Sequence, residues 1–279
     1  MHTVLHVSPH PDDESIAAPC TLLTLRDAGW RVVNFAVSMG RPEQAERRRA
    51  ELRGALELAG FEHREPTTPI GISRGDRHGR ACRALIPQIR NVVEETGAEL
   101  VVGPHPRDSH HGHATVARAV REVVWAAGGS LTWWMWSVWA DLPHPTLIVN
   151  CDPKHLQLSR EMLDQHVGEY RRVDYRLMHE PVRQVNAIRG IEKVLGYGAT
   201  PDEEHRRITH AELLTELTVR GRTWMEGRPR ILRTTAPTSV EWDQLDDTSI
   251  LSSTRLRPLY RAILLSASAR YRWRITVAP

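Results

Sequence analysis

Apolar and polar positions alternate in blocks along most of the chain. TVLHVS, from Thr3, and RVVNFAVS, from Arg31, are short apolar runs that read as buried strands. Between them SIAAPCTLLTLRDAG carries helical spacing and stops at Gly29, a suitable C-cap. PEQAERRRAELRGALELAGF predicts a second helix, with an apolar stripe through Ala45, Leu52, Leu56 and Ala59 and a stop at Gly60. After a loop rich in Pro, Gly and Arg (65–80) come a helix through LIPQIRNVVEETG, a buried strand AELVVGPH and an amphipathic helix HATVARAVREVVWAAGG. The aromatic run Trp133, Trp134, Trp136 and Trp139 has indole faces that suit a sugar-stacking platform, but period-two spacing favours a strand with alternate members buried on one sheet face. LIVNCD is a further strand, and PKHLQLSREMLDQHVGEY a further helix. Beyond Arg176 the pattern weakens. The segment 234–247 is polar and loop-like, and the tail from Leu251 has no clear pattern.

Strand and helix in regular alternation imply βαβ units, hence an α/β fold with a mostly parallel sheet and helices on both faces. In such sheets ligands bind outside the carboxyl ends of the strands. Two segments with unusual chemistry fall at such ends. VLHVSPHPDDES, from Val4, runs from the first strand into the first helix and carries His10, Asp12, Asp13 and Glu14. GPHPRDSHHGHA, from Gly103, does the same a hundred residues later, with His105, Asp108, His110, His111 and His113. Acidic residues after a proline also suit an ordinary helix N-terminus, and a surface loop can carry bystander histidines. Two such turns on one sheet edge are nonetheless expected to face each other across one crevice.

Metal chemistry accounts for the combination. A catalytic zinc takes His nitrogens and carboxylate oxygens and keeps a position open for water. His10 and Asp13, three residues apart at a turn entering a helix, can both reach one ion, and one histidine of the second cluster completes the set. Asp12, next to a ligand but not sharing the ion, is then placed to act as general base. A spare histidine of the second cluster would stabilise a developing oxyanion.

Composition narrows the setting. With 41% hydrophobic and 25% charged residues in 279, the chain is an ordinary globular protein with ample core. The formal charge of +3, without a basic block, does not favour nucleic acid. Only Lys154 and Lys193 among the 37 basic residues are lysines, a bias that suits planar anionic or sugar-like ligands but that genome composition also explains. Three dispersed cysteines, no signal-peptide pattern and no apolar run of membrane-spanning length lead to the expectation of a cytoplasmic protein without a membrane span. A first turn without GxGxxG and the lack of GxSxG argue against a nucleotide-binding Rossmann domain and a serine hydrolase.

PHPDDE, Pro9 to Glu14, followed by HHGH, resembles the PIG-L/LmbE-like family of zinc-dependent N-deacetylases. The resemblance implies a Rossmann-like sheet and removal of an acyl group, usually acetyl, from the nitrogen of an amino sugar. It implies zinc ligands His10, Asp13 and His113, with Asp12 as general base and His110 as the histidine that stabilises the tetrahedral intermediate. Arg48, in RRAELRGALELAG, matches an arginine that contacts substrate in some members. VWADLPHPTLIV, LDQHVGEY and QVNAIRG resemble later segments, so the resemblance spans 3–212 of a single domain 1–279, with 213–279 an unassigned extension. There are departures. Where the family has HPDH, His111 replaces Pro and Gly112 replaces Asp, which leaves Asp108 to compensate and places it with Arg48 among the substrate-facing residues. Arg74, with Asp76 close by, stands where the family has a sugar-contacting Asp, and HVGE replaces HxSQ. The expected partner is a small N-acyl amino-sugar metabolite; a homo-oligomer is compatible with the sequence. The competing expectation is a metal-binding protein of the same fold that has lost catalysis and acts as a binding or regulatory module.

Overall fold

The computed structural model describes residues 1–74, 79–200, 203–234 and 237–252. The chain enters through β1 (Thr3–Ser8), α1 (Asp13–Ile16), α2 (Pro19–Asp27), β2 (Arg31–Ala36), α3 (Pro42–Ala59), β3 (Glu62–Arg64), α4 (Arg80–Thr96), β4 (Leu100–Pro104) and α5 (His111–Ala127). It continues through β5 (Thr132–Trp136), β6 (Leu147–Asn150), α6 (Pro153–Asp164), α7 (Val167–Tyr170), α8 (Arg176–Leu195) and α9 (Glu203–Arg206). Four strands follow, β7 (Ala211–Arg220), β8 (Thr223–Gly227), β9 (Arg230–Ile231) and β10 (Trp242–Gln244), and then a 3-10 turn, Thr248–Leu251.

β1 lies inside the sheet, paired in parallel with β2 (Leu5 opposite Val33) and with β4 (Leu5 opposite Val101). Every residue of β1 is buried, the signature of a strand covered on both faces. Alternate side chains feed two cores. Leu5, Val33, Val101 and Trp133 meet Leu85 and Ile89 of α4 and Val116 and Val120 of α5. Val4, Val32, Leu100 and Trp134 meet Leu22 of α2, Leu52 and Leu56 of α3, and Met162 of α6. Truncating such a side chain, as in Leu5→Ala, costs about 2–5 kcal/mol. This is the expected α/β sheet with helices on both faces, in the order β10-β8-β7-β5-β4-β1-β2-β3.

Several expectations change in detail. The first predicted helix is two: Ala18 leaves the helical region, and Pro19 starts α2 where its missing N–H is harmless. PKHLQLSREMLDQHVGEY likewise divides at Gln165 and His166 into α6 and α7. Trp133, Trp134 and Trp136 lie on β5, both faces of which are covered, so all three are buried, whereas Trp139 lies beyond the strand and is 42% exposed. α8, twenty residues long, hides from pattern reading because Pro181 interrupts it and Leu177, Val185 and Ile188 face outward. Among the described residues after 212, several join the sheet: β7 pairs antiparallel with β5, and β8 and β10 extend it. Antiparallel strands at one end of a parallel sheet lack the βαβ rhythm by which the rest is read. Asp76 and the tail from residue 253 lie outside the described residues. Among the described residues no helix is long and apolar enough to cross a membrane.

Candidate metal centre and active site

Both polar turns leave the carboxyl ends of neighbouring parallel strands, β1 and β4, and they meet. The rings of His10 and His110 stand edge to face with centroids 4.7 Å apart, and His113 lies 5.2 Å from His10 and 4.9 Å from His110. Asp13 links the two turns. One of its oxygens, Oδ2, accepts the His10 backbone N–H at 2.8 Å and lies 3.3 Å from His10 Nδ1; the other, Oδ1, lies 3.3 Å from His113 Nε2. Donor atoms of His10, His110 and His113, and separately of His10, Asp12 and Asp13, fall within 4.8 Å of one another. Asp12 joins the strand end to α1 with φ 142°, a sparsely populated conformation for a residue with a side chain, costing about 1–3 kcal/mol.

The second turn is organised by Asp108, which is buried. Its Oδ1 accepts the His110 N–H at 2.9 Å; its Oδ2 accepts the N–H groups of Val138 and Trp139 at 2.9 and 3.2 Å and lies 3.2 Å from His113 Nδ1. A carboxylate facing the outer nitrogen of a histidine sets its tautomer and aims the other nitrogen inward, as is common behind metal-binding histidines. Asp108, expected among the substrate-facing residues, is therefore saturated by protein groups and sits behind His113. His110 caps α5: its Nδ1 accepts the Gly112 N–H at 3.2 Å, so in the neutral ring Nε2 carries the proton. Gly112 itself is a matter of space. A Cβ there would lie 2.9 Å from His10 Nε2 and 3.1 Å from His110 Nδ1. Any side chain at 112 would press on both turns, whatever its charge.

Electrostatics separates the groups. Burial and the adjacent Asp13 charge push Asp12 well above the usual carboxylate range, against the opposing charges of His166 and Arg48. Burial also opposes ionisation of Asp13, but the His113 charge and the hydrogen bonds from His10 and His113 hold its carboxyl well below that range. For His113 burial is outweighed by Asp13 and Asp108, and its pKa is pushed up to about 10. Burial and the neighbouring His10, His113 and His111 bring His110 down to about 4. His105 is buried, accepts the Arg107 N–H at 3.0 Å and is a loop-shaping residue, down to about 4 through burial.

A second layer was not anticipated. Glu14, fully buried, accepts the Asp12 N–H at 3.0 Å and meets His166 Nε2 at 2.6 Å. Arg48, expected to touch substrate, is itself buried: it donates to the Pro11 carbonyl at 3.3 Å, lies 3.3 Å from Glu169 and reaches Asp12 only at 3.9 Å. The glutamate closing PHPDDE and the His and Glu of HVGE stand in plain view in the sequence, but nothing in one dimension says that the turn after α6 meets α1. Another donor group, Cys20, Cys151 and Glu212, is a structural knot, because Glu212 is occupied by Arg183 and the N–H groups of Cys20 and Thr21.

Residues 5–124 match the family PIG-L, GlcNAc-PI de-N-acetylase. Over that segment the chain is similar to the PIG-L family. The match covers both polar turns and is shorter than the span 3–212 suggested by resemblance. No curated protein matches the chain in sequence. Among solved structures, the chain is similar to the 4-carboxy-2-hydroxymuconate hydratase GalB from Pseudomonas putida, at 17% identity and TM-score 0.59 over 77% of this chain and 96% of that one. It is similar to the N,N'-diacetylchitobiose deacetylase from Pyrococcus horikoshii, at 17% identity and TM-score 0.57 over 77% and 83%. The zinc-inhibited form of teicoplanin deacetylase Orf2 gives 14% and 0.56 over 76% and 96%. At these identities the likeness is one of fold.

The donor set at the two turns fits a divalent ion. His10 Nδ1 and His113 Nε2 lie 3.3 Å from the two different oxygens of Asp13, each pair at the spacing of neighbouring ligands about 2.0–2.2 Å from an ion. Asp108 supplies the outer support that such a histidine needs.

Proposed function

We propose that this protein is a metal-dependent N-deacetylase that hydrolyses the amide of an N-acyl amino sugar, with zinc as the resident ion held by His10, Asp13 and His113. The observation that carries the reading is the convergence of His10, Asp13 and His113 beside Asp12 at adjoining strand ends. A bound divalent ion supplies Lewis acidity and a more acidic water. Asp12 takes the proton of the attacking water; its buried position favours accepting a proton. Glu14 fixes the Asp12 backbone, and Arg48 lends positive charge from behind. His110, neutral with Nδ1 committed to the Gly112 N–H, donates from Nε2 to the oxygen of the tetrahedral intermediate. The proton held by Asp12 passes to the departing nitrogen, and carboxylate and free amine result.

The alternative of a non-catalytic metal-binding module gives no role to Asp12, which is strained, buried and supported by Glu14. The protein, loaded with zinc, is to be tested by mass spectrometry against a panel of N-acyl amino sugars, with Asp12→Asn at equal zinc content. Amide cleavage lost in Asp12→Asn supports the reading; no cleavage of any panel member by the wild type refutes it. Three free cysteines support a reducing, cytoplasmic setting.

A further inference from the structure

The two residues that support Asp12, Glu14 and Arg48, are each met by one short segment far along the chain. It is the turn after α6 and the start of α7, His166 to Glu169, and it has no part in the chemistry above. Both contacts converge on a single peptide group, the one that joins Pro11 to Asp12.

A peptide group is planar, so its C=O and N–H turn together. The N–H of this one belongs to Asp12 and is taken by Glu14 Oε2 at 3.0 Å. Its C=O belongs to Pro11 and receives Arg48 Nη2 at 3.3 Å. With both ends engaged, the plane cannot rotate to relieve the φ of 142° at Asp12 without unpairing buried groups. On the far side of Asp12 its carbonyl accepts the N–H groups of Ser15 and Ile16 at 2.9 and 3.0 Å, so α1 fixes that end.

His166 and Glu169 hold the two holders. Glu14 is fully buried, and its second oxygen, Oε1, accepts the Ser15 hydroxyl at 2.7 Å and stands 2.6 Å from His166 Nε2. Among the described residues Nδ1 of His166 has no hydrogen-bond partner, so the polar contact of this buried ring is directed at Glu14. Glu169 lies 3.3 Å from Arg48 Nε, closer than the 3.9 Å that separates Arg48 from Asp12. The segment is in turn fixed to α3. The Gly168 N–H donates to Glu51 at 2.8 Å, and a Cβ at Gly168 would run into Arg47, which pairs with the same Glu51.

We propose that His166 and Glu169 are positioning residues which, through Glu14 and Arg48, grip the Pro11–Asp12 peptide at both ends and so keep the Asp12 carboxylate beside the ion site. The proposal deepens the N-deacetylase reading and rests on it for the role of Asp12. Misplacing a reacting group by about 1 Å costs up to about 100-fold in rate. The grip acts on the base alone, so its loss should appear in kcat and leave substrate capture and the metal as they are.

The test compares His166→Gln with His166→Asn in the zinc-loaded protein, with N-acetylglucosamine as substrate. Both variants carry an amide, but only Gln is long enough to place an N–H where Nε2 meets Glu14. His166→Asn should lower kcat about 10- to 100-fold at unchanged KM and zinc affinity, while His166→Gln stays close to the wild type. Adding His166→Asn to Glu14→Gln should lower kcat no further, as expected of a residue that acts through Glu14. Where His166→Asn melts too low to be used, Glu169→Gln carries the same test from the Arg48 side. Hydrogen exchange of the Asp12 amide, followed by NMR, is the readout independent of hydrolysis. It should quicken at least about tenfold in His166→Asn and not in His166→Gln. That result supports the grip even if the wild type cleaves no amide, in which case only the deacetylase reading falls. Equal kcat losses in His166→Gln and His166→Asn, a loss carried by KM or by zinc affinity, or an Asp12 amide that exchanges no faster overturns the proposal.

Discussion

Replacing Asp108 tests the architecture of the centre more directly than replacing a ligand. The carboxylate has two distinct faces: Oδ1 takes the His110 N–H, and Oδ2 takes the N–H groups of Val138 and Trp139 and faces His113 Nδ1. In Asp108→Asn one face must become an NH₂ group. Turned toward His110 it meets an N–H; turned toward Val138 and Trp139 it meets two and loses the negative charge that orients His113. Loss of such an outer partner typically lowers metal affinity about 10–100-fold, equivalent to about 1.4–2.7 kcal/mol. Unpairing buried N–H groups adds about 1–3 kcal/mol of destabilisation visible without metal. The assay is zinc affinity by competition with a chromophoric chelator, alongside melting of the metal-free protein. An unchanged zinc affinity in Asp108→Asn would refute the assignment of His113 as a ligand held from behind. An effect confined to KM would return Asp108 to the substrate side.

Other outcomes are expected. Gly112→Ala places a Cβ 2.9 Å from His10 Nε2, so it should lower zinc affinity and turnover; full affinity by the same titration would mean that His10 is not confined where it sits. His110→Ala should lower kcat about 10²–10³-fold with zinc content unchanged, as for loss of an oxyanion donor, while His111→Ala has a much smaller effect; equal losses would exchange their roles. Stability should fall with acid partly through His179, which is buried against Ser159 at 2.8 Å. Burial, with the charges of Arg183 and Arg160, brings its pKa to about 3, whereas the unfolded chain takes up the proton near the ordinary value of about 6.5. Its contribution is thus complete above that value and is lost as pH falls from 6.5 toward 3, amounting to about 2 kcal/mol at pH 5. His179→Gln should narrow the difference in unfolding free energy between pH 7.5 and pH 5 by that amount. His6 and His105, also depressed by burial, would keep the rest of the slope.

β1, β2 and β4 could be read directly, because each is a short apolar run followed by a helix, and burial on both faces leaves such runs unbroken, whereas the edge strand β3, Glu62–Arg64, has no apolar residue and went unread. The same rhythm put PHPDDE and HHGH at strand ends, so their meeting followed from topology alone. Three-dimensional packing decided the rest. Asp108 reads in sequence as a spare acid near a histidine; only the return of the chain through 137–139 shows its oxygens filled from behind. Gly112 reads as a missing carboxylate, whereas the approach of His10 from another element makes it a place where a Cβ would displace the His10 ring. Glu14 and His166 are 152 residues apart and become a pair because α6 packs against α1 and brings the turn that follows it to Glu14. Periodicity records which side of an element faces the core, a local property written every two or every 3.6 residues. Which polar groups face one another depends on the crossing of distant elements, and no local period carries that.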